Sequence, residues 1–178
     1  MLAVIWRAFS AIAVTAFLFG SPPRVQGQAQ SKLQVSAPDQ RVQLTFTLDG
    51  DSKRELQQSL DECKAVEVRY VAELRKQRML WPDLSFARTT VRNRARCDGK
   101  SHSRTLQRRV DGSIVATATE RNHAAVLAFM SETGEVSAFQ GVTFPSNSYS
   151  VRVKSVLVTE SDRVGQTGVL AEAHFEIR

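Results

Sequence analysis

Side chains that alternate apolar and polar with a period of two, in one segment after another, are the strongest constraint in this sequence. From Arg41 the chain reads RVQLTFTLD, with Val42, Leu44, Phe46 and Leu48 in one phase and Gln43, Thr45 and Thr47 in the other. Residues i, i+2 and i+4 share a face only in an extended chain, so this run predicts a strand with one dry and one wet side. A second run sets Val66, Val68, Tyr70, Ala72 and Leu74 against Glu67, Arg69, Glu73 and Arg75. Two late segments, SYSVRVKSVLVTE and GVLAEAHFEIR, alternate in the same way.

The punctuation between the runs is that of hairpins. Pro82-Asp83 marks a turn because proline fixes φ and has no N–H for a ladder, and Asp98-Gly99 and Asp111-Gly112 are two further turn signals. Three consecutive hairpins predict a meander. Helical spacing is confined to two places. Asp51 or Ser52 can cap a helix over about 52–63 carrying Leu56, Leu60 and Cys63, and Thr119 or Asn122 can cap a second carrying Val126, Phe129 and Met130 and ending near Gly134. Seven or eight half-buried strands with two short helices predict a mainly β fold: an antiparallel sandwich, roughly immunoglobulin-like in size. One curved antiparallel sheet with helices on one side, an α+β arrangement, is the alternative.

The first residues break the pattern. MLAVIWRAFSAIAVTAFLFGSPPRVQGQAQ has one arginine near its start, an apolar run from Ala8 to Gly20 and a polar, proline-containing tail. That order is that of a secretory signal peptide, with cleavage expected after Gly27, and the run is short of the roughly 20 apolar residues of a spanning helix. The expected organisation is a signal peptide over 1–27, a linker or strand over 28–40 and a single β-rich domain over 41–178, exported to a periplasmic or extracellular space, with no spanning helix after cleavage. Cleavage removes Arg7 and Arg24 and no acidic residue, so the formal net charge falls from +6 to +4. The two cysteines, Cys63 and Cys97, fit either one disulfide in an oxidising compartment or two buried thiols.

The segments YVAELRKQRMLWPD, the arginine- and threonine-rich strand ending in CDG, RRVDG and SYSVRVKSVL occur in that order. Together they resemble a family of small exported bacterial proteins catalogued as domain of unknown function 4390, over about residues 40 to 160. Arg75 and Arg78 before Trp81-Pro82-Asp83, the Asp98 turn and Tyr149 to Val153 carry the resemblance most specifically, although Arg104-Thr105-Leu106 stands where the family has an aromatic residue. The resemblance implies export and a single domain, and it implies no catalytic residue.

Functional content concentrates in FARTTVRNRAR, residues 86–96, where Arg88, Arg92, Arg94 and Arg96 share one parity. A hairpin turning near Pro82 is expected to set Arg92 opposite Glu73, Arg94 opposite Val71 and Arg96 opposite Arg69, on the wet face. Phe86 has the arginine parity, so a bulge near Leu84 is expected to turn it inward. With Arg69 and Arg75 the four arginines form either an ordinary solvated face or a face that grips an anion. Nucleic acid is a poor partner for a chain with a secretory leader and no nucleic-acid motif. A membrane protein or an anionic envelope component (phospholipid heads, polysaccharide or an acidic protein surface) fits better. Trp81 is either a core plug at the hairpin end or an exposed anchor for a partner.

Catalytic motifs are lacking. His102, His123 and His174 have no metal-ligand spacing, and there is no Gly-x-Ser-x-Gly elbow, no glycine-rich phosphate loop and no complete calcium loop after Asp49-Gly50-Asp51. No catalytic, metal or cofactor-binding residue is therefore assigned, and no cofactor is expected. The expected function is a non-enzymatic envelope binding or accessory module. The alternative is a small envelope enzyme whose site assembles only in three dimensions; a deep pocket pairing a carboxylate with a histidine would favour it, and a shallow basic face the binding module.

Overall fold

The computed structural model describes residues 32–37, 41–78, 84–159, 163–166 and 171–177. The expected signal peptide and Trp81 lie outside the described residues. The elements run β1 (Lys32–Ser36), β2 (Val42–Thr47), α1 (Gly50–Asp61), β3 (Val66–Lys76), β4 (Leu84–Asp98), β5 (Ser103–Val110) and β6 (Ser113–Glu120). They continue with α2 (His123–Ser131), β7 (Val136–Ala138), β8 (Asn147–Thr159), β9 (Arg163–Gln166) and β10 (Ala171–Ile177).

Among the described residues the fold is mainly β, built from two antiparallel sheets with no closed barrel. A three-stranded sheet has the order β1-β2-β7, and a larger sheet has the order β10-β8-β3-β4-β5-β6, with β9 paired to β8. The expected meander is β3 to β6. The helices are the crossings between layers: α1 leads from the small sheet into β3, and α2 leads from β6 back to β7. The short β7 and β9 lie in segments with too few alternating positions for a sequence signal.

Alternation decides what is buried. Val66, Val68, Tyr70, Ala72 and Leu74 of β3 and Tyr149, Val151 and Val153 of β8 form the dry face of the large sheet, and Val42, Leu44 and Phe46 of β2 close over it in one contiguous core. Phe46 meets Tyr70 edge-on with ring centroids 5.5 Å apart. Full burial of side chains of this size contributes about 1.5–3 kcal/mol each relative to exposure.

The first helix starts earlier than the bare spacing suggests, whereas the second starts at one of its two expected caps. The Asp49 side chain, rather than Asp51 or Ser52, caps α1 by accepting from Ser52 N at 2.7 Å, which lets the helix begin at Gly50 and end at Asp61. Asn122 caps α2, accepting from Ala124 N at 2.9 Å and Ala125 N at 3.3 Å. Just beyond α1, Cys63 adopts a left-handed conformation, with φ 54°. A disulfide joins it to Cys97 of β4 over a Cα separation of 5.4 Å. No helix among the described residues is long and apolar enough to cross a membrane.

Candidate anion-binding face

In the β3–β4 ladder Glu67 faces Arg94, Arg69 faces Arg92, Val71 faces Thr90 and Glu73 faces Arg88. The partners expected from a turn near Pro82 are therefore displaced by four residues along β4. Proline marks where a ladder lacks a donor, not the midpoint of a turn. β3 already stops at Lys76, and β4 starts at Leu84. Four is even, so the slip exchanges partners and leaves every side chain on its expected face. The bulge falls at Phe86: Leu74 pairs with Ala87 and Arg75 with Ser85, leaving Phe86 between them. Its ring reaches Phe144 at 6.4 Å and Tyr149 at 6.1 Å, yet the residue stays 36% exposed, so the bulge brings it against the core edge without burying it as expected.

The corrected register sorts the arginines into two groups. Arg88 is paired, with Nη2 2.7 Å from Glu73 Oε1, and Arg75 reaches the other oxygen at 3.7 Å. Burial pulls the Glu73 carboxyl upward, but the Arg88 hydrogen bond and the charges of Arg88, Lys154 and Arg75 outweigh it and hold the group below its usual range. Arg69 pairs with Glu67 of its own strand at 2.9 Å.

Arg92 has a different setting. It stands opposite Arg69 of β3 on one side and opposite Arg109 of β5 on the other. Three guanidinium-bearing positions thus lie in register across three neighbouring strands, about 4.8 Å apart from strand to strand. Arg94 and Arg96 extend the array along β4 in steps of about 6.8 Å. Arg92, Arg94 and Arg96 are exposed and make no ion pair or side-chain hydrogen bond among the described residues. Among the described residues the Arg109 side chain bonds only Gln107 of its own strand, at 3.0 Å. Arg69 Nε and Arg75 Nε are buried without a hydrogen-bond partner among the described residues. Like charges directly opposite each other are unfavourable in a sheet, and the Glu67 carboxylate on Arg69 offsets only one end of the row, so the row is suited to an anion laid across it.

Sequence reasoning placed Arg69, Arg75, Arg88, Arg92, Arg94 and Arg96 together and missed Arg109, Arg152 and Lys154. A signal for Arg109 existed. The Asp98-Gly99 turn closes a hairpin pairing Asp98 with Ser103, and counting back from that pair sets Arg109 opposite Arg92. Arg152 and Lys154 sit opposite Glu73 and Val71 on β8, and Arg152 is taken up by Glu172 at 2.9 Å.

One arginine points the other way. Arg108 lies on the dry side of β5, where its Nε donates to Asn93 Oδ1 at 2.8 Å and its Nη2 donates to the carbonyls of Phe129 at 2.9 Å and Glu132 at 2.7 Å. Asn93 Nδ2 donates to the same two carbonyls, and Tyr70 Oη donates to Met130 O at 2.7 Å. These groups satisfy carbonyls that the end of α2 leaves without helical partners. Burial pulls the Arg108 guanidinium below its ordinary pKa and pushes the Tyr70 hydroxyl well above its own.

A histidine–carboxylate pair is present at the far end of the helices. His123 Nε2 lies 3.5 Å from Asp61 Oδ1 in an open cleft of about 190 Å³, lined also by Cys63, Cys97, His102, Arg104, Glu120 and Arg121. The lining offers no hydroxyl, and both sulfurs are committed to the disulfide. The pair joins the last residue of α1 to the first of α2 across 3.5 Å between exposed side chains. No cluster of three or more potential metal ligands occurs among the described residues. No protein-family model matches the chain, and no curated protein or solved structure is significantly similar to it.

Proposed function

We propose that this is an exported, non-catalytic binding module of the cell envelope whose arginine-bearing sheet face holds an anionic partner. The observation that carries the reading is the row of Arg69, Arg92 and Arg109, in which Arg69 is paired with Glu67 but Arg92 and Arg109 have no ion pair among the described residues, flanked along β4 by Arg94 and Arg96. A face kept only for solubility gains nothing from like charges in register, whereas a bound polyanion turns that arrangement into a set of charge-assisted hydrogen bonds. The Cys63–Cys97 disulfide suits an oxidising compartment, which supports export. Membership of the exported family that the sequence resembles is part of the same proposal.

The test is retention on a dextran sulfate resin along a salt gradient. Wild-type protein should elute late, and the combined substitution of Arg92, Arg94 and Arg96 by Gln should elute at clearly lower salt with an unchanged thermal melt. Binding should weaken with salt as the screening length falls from about 10 Å at 0.1 M to about 3 Å at 1 M. Co-elution of mutant and wild type would overturn the reading.

A further inference from the structure

Beside the arginine row the structure exposes a feature that a soluble polyanion leaves unexplained. The β5–β6 hairpin turns tightly through Asp111 and Gly112, both with positive φ (46° and 92°), and the next two large side chains are Ile114 and Val115. They are 55% and 56% exposed, the most exposed large apolar residues described. Arg109 faces Ile114 and Arg108 faces Ala116, so Val115 is the extra residue of a bulge. Ile114 therefore continues the row begun by Arg69, Arg92 and Arg109 onto a fourth strand. The tip is also fixed in place. Asp111 Oδ1 accepts from Thr90 N at 2.7 Å, and Asp111 N donates to Thr90 O at 2.9 Å, so the aliphatic pair cannot fold away without breaking both bonds.

We infer that the partner of this face is the surface of an anionic phospholipid bilayer, with lipid phosphates on the arginine row and Ile114 and Val115 set into the headgroup–acyl boundary. The inference rests on the anion-binding reading above and adds the identity of the partner. A hydrophilic polyanion would satisfy the arginines and leave the aliphatic pair in water. A second copy joined along β6 would cover the pair but bring two arginine rows, each with Arg92 and Arg109 lacking an ion pair among the described residues, into one sheet. A bilayer surface meets both demands, because fixed negative charge and an apolar layer lie within a few ångströms of each other there.

The experiment uses sedimentation with vesicles of phosphatidylcholine mixed with phosphatidylglycerol, against vesicles of phosphatidylcholine alone. Wild-type protein should sediment with the mixed vesicles only. The double substitution Ile114→Thr and Val115→Thr, which keeps β-branched residues in the strand, should lose about tenfold or more of its vesicle affinity and keep its dextran sulfate elution. Equal vesicle binding by this variant overturns the inference. So does wild-type protein that binds dextran sulfate and ignores the mixed vesicles, a result that leaves the anion-binding face standing, whereas failure on both supports removes the face as well. A concentration-dependent dimer in analytical ultracentrifugation that the double substitution abolishes would assign the pair to a second copy instead. Ile114→Trp gives a readout that does not depend on the double variant folding. Its added fluorescence should shift to shorter wavelength on mixed vesicles, and an unchanged spectrum overturns the inference.

Discussion

Arg108 and Arg109 are consecutive residues of one strand, and the pleat sends them to opposite faces of the sheet. Arg108 bonds the Asn93 side chain and two carbonyls and lies 4.5 Å over the Phe129 ring. A Cβ placed on Gly134 would come within 2.5 Å of its Nη1, and Gly134 has a φ of +63°, so glycine is needed there for space and for backbone alike. The Arg109 side chain has one hydrogen bond among the described residues, within its own strand, and looks across at another arginine. Residue type and sequence neighbourhood are nearly the same, and the partners differ entirely. A guanidinium whose donors are used up by the protein is part of the architecture, and one whose donors are not is available to something else.

The same division runs down β4, where Val91, Asn93, Ala95 and Cys97 face inward and Arg92, Arg94 and Arg96 face outward. The inner side should therefore carry the stability. Replacing Cys63 and Cys97 together by Ala opens a link spanning 34 residues and should cost about 3–4 kcal/mol, read as a lower urea midpoint with a steeper slope, because the unlinked denatured chain exposes more surface. A cost below about 1 kcal/mol would mean that other contacts near the end of α1, such as Arg104 bonding Leu60 O, already hold this corner.

Arg108→Ala comes next. It leaves Asn93 Oδ1 without its donor and withdraws one of two donors from each of the Phe129 and Glu132 carbonyls, for an expected loss of about 2–3 kcal/mol. Arg109→Ala, one residue away, should change stability by less than about 0.5 kcal/mol. Similar losses for the two would erase the contrast between the faces.

The faces themselves were legible from alternation alone, because parity survives any even slip of register. The register was not. The connection over 77–83 and the bulge at Phe86 carry no pattern that fixes which positions face each other. That mattered for the site, since the expected register gave Arg92 a carboxylate and the observed one gives it two arginines. Asn93 was illegible for another reason: a polar residue at a dry position makes sense only when the end of α2, far off in sequence, brings its carbonyls over it. Arg108 could not be separated from Arg109 without knowing which of the two lies under that helix.

The smallest expected effect bears most directly on the proposed site. Two unit charges about 5 Å apart in a water-like medium repel by somewhat under 1 kcal/mol, and the flexible tips of Arg69, Arg92 and Arg109 can splay to reduce that further. Arg92→Gln removes the middle charge and breaks no bond among the described residues, so stability should stay level or rise by up to about 0.5 kcal/mol at low salt. The gain should vanish near 1 M salt, where the screening length is about 3 Å. Arg88→Gln is the internal control, because Arg88 has Glu73 at 2.7 Å and its removal should cost a few tenths of a kcal/mol under the same low-salt conditions. Opposite signs for these two substitutions on one strand face would show that Arg92 is held against its own neighbours and kept for an outside partner. A loss above about 1 kcal/mol for Arg92→Gln would mean instead that the protein already supplies its counter-charge, and the face would then be architecture in the same sense as Arg108.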